Sequence, residues 1–156
     1  MESLAGDPQA FSASAEDYQS LSLEEVRKRL GSGKSDFLVA GAFEGSRLVG
    51  MAGFHREAGQ KVRHKGRIWG VYVTPASRGK GVGRKLLCAV MQRGAEIEGI
   101  EQILISVATT QTAAICLYRS LGFRSFGCEP RALLVGGRFI DEEYMIYLLK
   151  PSRTAP

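Results

Sequence analysis

Apolar residues recur along this chain at two spacings, and each spacing predicts a different element. FLVAGAF at 37–43 and RLVGMAGFH at 47–55 are β-rich runs on either side of EGS, which predicts an antiparallel hairpin. REAGQKVRHKG is polar and reads as a loop or ragged strand ends, and RIWGVYV at 67–73 as a third strand. From Lys80 to Glu98, Val82, Leu86, Leu87, Val90, Met91, Ala95 and Ile97 keep close to the i, i+4 spacing of a helix laid on a sheet, slightly weakened by Gly94. ILISV at 103–107 is a continuous apolar run, the mark of a central strand covered on both faces. TQTAAICLYRSLGF predicts a second helix, capped near Thr110 and ended at Gly122, with Ala113, Ala114, Leu117 and Leu121 turned inward. FRSFGCEP, ALLVGGRF and EYMIYLL predict closing strands, with Gly136 and Gly137 as a hairpin turn. Upstream, SLSLEEVRKRL predicts one more helix: Ser22 caps it, Glu24 and Glu25 fill its first turn, Leu23, Val26, Arg27 and Leu30 follow helical spacing, and Gly31 ends it.

Helix, three strands, helix, strand, helix, strands is the order of a mixed α/β sheet. We expect one domain over residues 16–150, a loosely structured segment over 1–15 and a tail over 151–156. A length of 156 residues with 44% hydrophobic residues is enough for a single core. No apolar stretch approaches the roughly 18 residues of a membrane span, and MESLAGDPQAFSAS does not read as a leader peptide. Cys88, Cys116 and Cys128 lack CxxC spacing and read as buried thiols of a reducing compartment, which makes the cytoplasm the expected location. The formal charge of +5 raises the question of nucleic acid. Its cations, however, gather at 61–67 and 78–85 without interleaved aromatics, a distribution that suits a small polyanion better than a polymer. For the first cluster, a merely solubilising surface is an equal alternative.

The second cluster lies in VYVTPASRGKGVGRKLL at 71–87, where a strand hands over to a helix. It is not a P-loop, because Arg84 stands where the second glycine of that motif belongs, and the same residue breaks the dinucleotide pattern GxGxxG. What remains is Arg78-x-x-Gly81-x-Gly83 in a helix's first turn. Unpaired amides there point one way, glycines admit a close ligand, and the helix dipole favours an anion such as a diphosphate.

With this motif, and with SVATTQTAAICLYRSLGF at 106–123, the chain resembles the GCN5-related N-acetyltransferase family. That family places Arg/Gln-x-x-Gly-x-Gly/Ala after a strand like VYVTP, and later a strand, a helix start and Ala-x-x-Leu-Tyr-x-x-x-Gly-Phe. The resemblance covers roughly residues 7–149 and implies a mostly antiparallel mixed sheet flanked by helices, with acetyl-CoA as acetyl donor and no metal. It implies that the backbone of Val71, Tyr72 and Val73 meets the pantetheine arm, and that Arg78, Gly79, Lys80, Gly81, Val82, Gly83 and Arg84 hold the diphosphate. Gln111 stands where the family has an asparagine, and Tyr118 where it has a general acid.

Two departures stand out. The family's usual first strand and first helix look shortened or missing, which a second copy of the chain, as a homodimer, would compensate, unless the natural chain is longer. The strand RIWGVYV has Ile68, Trp69 and Gly70 where many members carry a glutamate base, so proton removal is expected to run through waters linked to Glu129, His55 or His64. The implied activity is transfer of an acetyl group to a primary amine of a small molecule or peptide by direct attack. Covalent catalysis through Cys116 is the competing chemistry. GCEPRALLVGGRFIDEEYM resembles the family's closing hairpin; its Glu129, Arg131, Asp141 and Glu142 either bind a cationic amine or form a solvated edge, and Phe139, Tyr144 and Tyr147 are expected to pack in the core. The alternative function is a non-catalytic acetyl-CoA-binding or assembly module, with nucleic-acid binding a distant third.

Overall fold

The computed structural model describes Ser22, residues 24–26 and residues 36–149. Residues 24–26 are helical, and the Ser22 hydroxyl accepts the Glu25 amide at 3.2 Å while the Glu25 carboxylate accepts the Ser22 amide at 2.7 Å, a reciprocal cap. The remainder of that expected helix, the segment 1–15, the tail from 151, and the expected shortening of the first strand and helix lie outside the described residues.

The elements that follow are β1 (Phe37–Glu44), β2 (Arg47–Arg56), β3 (Lys65–Val73), α1 (Val82–Ala95), β4 (Gln102–Ala108), α2 (Thr112–Ser120), β5 (Arg124–Val135) and β6 (Arg138–Leu148). They form one sheet of order β1-β2-β3-β4-β6-β5, antiparallel except where β3 runs beside β4. The hairpin at 45–46 and the Gly136-Gly137 turn fall where the pattern places them. FRSFGCEP and ALLV are one strand rather than two. Pro130 to Ala132 stand opposite Asp141 alone, and Arg131 takes a φ of 59° to make the bulge. Among the described residues no helix is long and apolar enough to cross a membrane.

The alternation of β4 decides which face the helices cover. Ile103, Ile105 and Val107 are buried, whereas Leu104 and Ser106 are only partly so. The run ILISV is therefore not buried evenly on both faces by the described elements: α1 and α2 both pack on the Ile103 face. Leu86, Leu87 and Val90 of α1 and Ile115 and Tyr118 of α2 form one core there with Ala52, Phe54, Ile68, Phe123 and Met145. Each fully buried Leu, Val or Phe in it contributes about 1.5–3 kcal/mol.

Gly94, a weak point for a helix on propensity alone, is explained by Phe54. A Cβ at Gly94 would lie 2.6 Å from that ring, and one at Gly66, on the other side, 2.2 Å. The ring is fully buried between the two backbones and has no room to retreat. Gly94→Ala gains about 1 kcal/mol of helix propensity but overpacks the core at a cost of about 1–3 kcal/mol. We expect a lower thermal midpoint for this variant, with Phe54→Leu restoring part of it.

Candidate active site

The site begins where two strands part. β3 pairs with β4 only from Lys65–Arg67 to Gln102–Leu104, and beyond that the strands diverge. The cause lies in RIWGVYV. Gly70 adopts φ 61°, and Gly70 and Val71 together face Ala52 of β2, a bulge that twists β3 away from β4. Between them opens a groove of about 660 Å³. The Thr74 amide donates back to the Val49 carbonyl at 2.9 Å, so strand alternation turns the amides of Val71 and Val73 toward the opening and those of Tyr72 toward β2.

One end of the groove is the start of α1. Gly79 and Gly81 have φ of 74° and 79°, a conformation that costs other L residues about 1–2 kcal/mol. Gly81 is the N-cap and its carbonyl receives the Lys85 amide at 3.1 Å. No side chain caps this terminus, which leaves the amides of Val82, Gly83 and Arg84 as donors at the groove wall. Arg78 also lines the groove: its Nε donates to the Val73 carbonyl at 3.0 Å and its guanidinium lies 5.9 Å from the Tyr72 ring centre. Arg84 reaches across to the Ser120 hydroxyl at 2.6 Å, tying α1 to α2. Lys80 does not line the groove; its Nζ stands 3.9 Å from Glu44.

The other wall is α2. The helix starts at Thr112 with Gln111 as N-cap, one residue later than the expected Thr110 cap, and Gln111 lines the groove. At the far end the Phe123 amide donates to the Tyr118 carbonyl at 3.1 Å through Gly122 at φ 96°, a glycine C-cap that fixes the last turn. Tyr118 faces the groove, 5% exposed, with its ring against Phe123. Burial pushes its phenol above the ordinary value, so the hydroxyl keeps its proton throughout the physiological range.

Residues of the opposite sheet face complete the groove. Arg67, Trp69, Ser106 and Glu142 line it from there, so the gap between β3 and β4 connects the two sides of the sheet. Ser106 donates to Glu142 Oε1 at 3.1 Å, and Arg67 Nε to Glu57 at 2.7 Å. Arg67, Trp69 and Ser106 are not among the site residues expected from the sequence, where Trp69 figures only as one of the residues standing in place of a glutamate. The available signal is alternation: Ser106 is the polar residue between two buried ones in ILISV.

The expected base candidates are dispersed. His64 and His55 do not line the groove. His55 is half-buried on β2, and burial lowers its pKa, with Glu57 opposing and Arg67 assisting the shift. Glu129 accepts the Tyr144 hydroxyl, a bond that, more than burial, pushes the Tyr144 phenol up to about 12. Two other expectations need correction. All three cysteines are exposed rather than buried. Cys88 follows the buried Leu87 onto the outer side of α1, and Cys116 lies about 200° around α2 from Tyr118. It does not line the groove, so Cys116→Ala is expected to leave turnover within about twofold, against the hundredfold or more lost with a true nucleophile. Phe139 is 54% exposed, with its ring 4.6 Å from the Arg131 guanidinium, instead of packed in the core. Among the described residues no three His, Cys, Asp or Glu side chains gather as metal ligands.

Comparison with known proteins agrees with this geometry. The L-methionine sulfoximine/L-methionine sulfone acetyltransferase of Pseudomonas aeruginosa is 37% identical over 86 residues, covering 55% of this chain and 49% of that protein. The N-alpha-acetyltransferase RimI of Mycobacterium tuberculosis is 36% identical over 99 residues, 62% of this chain and 58% of its own. The match thus spans about half the length of these curated relatives. Among solved structures, yncA, a putative acetyltransferase from Salmonella typhimurium with its cofactor acetyl-CoA, superimposes with a TM-score of 0.72 at 27% identity, covering 94% of this chain and 80% of that one. An acetyltransferase of the GNAT family from Streptococcus pneumoniae shares the fold with a TM-score of 0.80 at 21% identity, over 95% and 92% of the two chains. The model of the acetyltransferase (GNAT) family matches residues 4–123, and with the parted strands, the uncapped glycine-rich helix start and the groove-facing tyrosine, the chain belongs to that family.

Proposed function

We propose that this chain transfers the acetyl group of acetyl-CoA to a primary amine by direct attack. The observation that carries the reading is the groove itself, which is lined by the uncapped start of α1, by Val71 and Val73 of the parted strand and by Tyr118 of α2 in one continuous surface. In this reading the amides of Val82, Gly83 and Arg84, with Arg78, hold the diphosphate, and Gln111, Val71 and Val73 line the path of the pantetheine arm. Lys80 adds charge nearby rather than contact. The thioester then lies between Tyr118 and the far face of the sheet. Attack by the amine makes a carbon–nitrogen bond and an oxyanion, which main-chain amides at the parted strand are suited to stabilise. Its collapse breaks the carbon–sulfur bond, and Tyr118 gives the departing sulfur a proton.

The relatives' names frame the acceptor class: one acts on L-methionine sulfoximine, another is an N-alpha-acetyltransferase. A small α-amine or a peptide amino group is the acceptor we assign. The alternative, a module that binds acetyl-CoA without turnover, is disfavoured by a buried phenol facing the groove. The test is thiol release from acetyl-CoA with separate pools of L-amino acids, polyamines and short peptides. Release with one pool names the acceptor class; donor binding without release from any pool establishes the alternative.

A further inference from the structure

The acetyl-transfer reading leaves the acceptor's proton without a destination, and the far side of the groove supplies one. We propose that Glu142 is a catalytic residue of this chain: its carboxylate draws in the acceptor ammonium and receives the proton lost as the amine attacks. This rests on the reading above and goes beyond it by assigning the acceptor side.

Among the described residues Glu142 is the one acidic side chain lining the groove. It is half-buried on β6, which pairs with β4, and Ser106 of β4 donates to its Oε1 at 3.1 Å. That hydrogen bond fixes one oxygen and leaves the other for a ligand. The neighbouring acids are otherwise engaged. Glu143 binds Arg119 at 3.0 Å, Asp141 accepts the Arg131 amide at 2.8 Å, Glu129 accepts the Tyr144 hydroxyl, and Glu57 holds Arg67 at 2.7 Å. Glu142 forms no ion pair among the described residues, although a half-buried carboxylate gains from a cationic partner.

Placement on the opposite face gives the carboxylate its role. Strand alternation puts Tyr118 and the core on the helix side of the sheet and Ser106 and Glu142 on the other, and the opening between β3 and β4 joins them. A thioester in the opening is then approached by the acceptor from the Glu142 side while its sulfur faces Tyr118. The ammonium enters the groove against the Glu142 carboxylate and there loses one proton to bulk solvent through water, which leaves a neutral amine beside the thioester. The nitrogen lone pair forms the bond to carbon, the carbonyl π pair moves to oxygen, and the second proton passes from nitrogen to Glu142. On collapse the carbon–sulfur pair leaves with sulfur, which takes the Tyr118 proton. Exchange with solvent discharges Glu142 and recharges Tyr118, and the net change is amine plus thioester to amide plus thiol. The carboxylate arrives from the closing hairpin, where RIWGVYV offers no glutamate.

The test compares Glu142→Gln, Glu142→Asp and Ser106→Ala with the wild type, using the amine pool that the wild type turns over, alongside calorimetry of acetyl-CoA binding. We expect Glu142→Gln to bind acetyl-CoA as the wild type does while kcat/KM for the amine falls at least about tenfold, with Glu142→Asp recovering part of the loss and Ser106→Ala showing a smaller one. If Glu142→Gln fails to fold, the same ordering in Glu142→Asp and Ser106→Ala decides. Wild-type kcat/KM in these variants overturns the assignment and leaves the acetyltransferase reading standing. Absence of thiol release from the wild type with every pool overturns both.

Discussion

Tyr118→Phe lowers kcat about 100-fold and leaves the affinity for acetyl-CoA within about twofold. The change removes one oxygen from a ring that is 5% exposed and packed against Phe123, so the core that holds α2 keeps its shape. What disappears, on the proposed mechanism, is the proton donor for the departing thiolate. The phenol suits that task because burial raises its pKa: it stays neutral throughout the physiological range, where the donor form is therefore populated. The effect therefore persists without a pH optimum of its own on the acid side, and single-turnover kinetics with pre-bound acetyl-CoA read it directly. An unchanged kcat excludes Tyr118 as acid and returns proton delivery to solvent.

Gly81→Val produces the opposite signature: acetyl-CoA affinity falls at least about 100-fold while the fold survives. Gly81 holds φ 79° as the cap of α1, and no atom beyond its chain neighbours lies within 4 Å of where a Cβ would be. Loss is thus expected from backbone strain rather than from collision. A β-branched residue leaves the left-handed region, and the amides of Val82, Gly83 and Arg84 rotate away from their common direction. Titration calorimetry with coenzyme A measures the loss, and circular dichroism checks that α1 and α2 persist. Taken together the two variants separate binding at one end of the groove from chemistry at the other, a separation that a general destabilisation does not reproduce.

How far the sequence reveals this site follows from what each part depends on. The first hairpin and both helices are local: the runs on either side of EGS and the apolar spacing in KGVGRKLLCAV and TAAICLYRSL place them within two or three residues of their observed ends. The glycine cap and Tyr118 sit in contiguous motifs and are legible for the same reason. The groove is not local. It exists because β3 leaves β4 after three paired residues, and Gly70 inside RIWGVYV is the only local sign of it, a glycine where a strand interior has no use for one. Arg67, Trp69 and Ser106 become site residues only once that parting is known. Glu142 reads as one charge among several on a hairpin until the pairing with β4 sets it beside Ser106. Cys88 and Cys116 mislead in the other direction, since apolar neighbours along a helix do not say which side of it a thiol takes.

Everything proposed for this chain depends on a diphosphate held by the open amides at the start of α1. Side-by-side calorimetry of coenzyme A and of pantetheine, which lacks the diphosphate and the 3′-phosphoadenosine beyond it, tests that contact most directly, with dephospho-coenzyme A separating the diphosphate from the 3′-phosphate. Coenzyme A binding at least about 100-fold tighter than pantetheine, a difference of about 2.7 kcal/mol, is the expected result. Equal affinities, or no heat from coenzyme A at millimolar concentration, would contradict it.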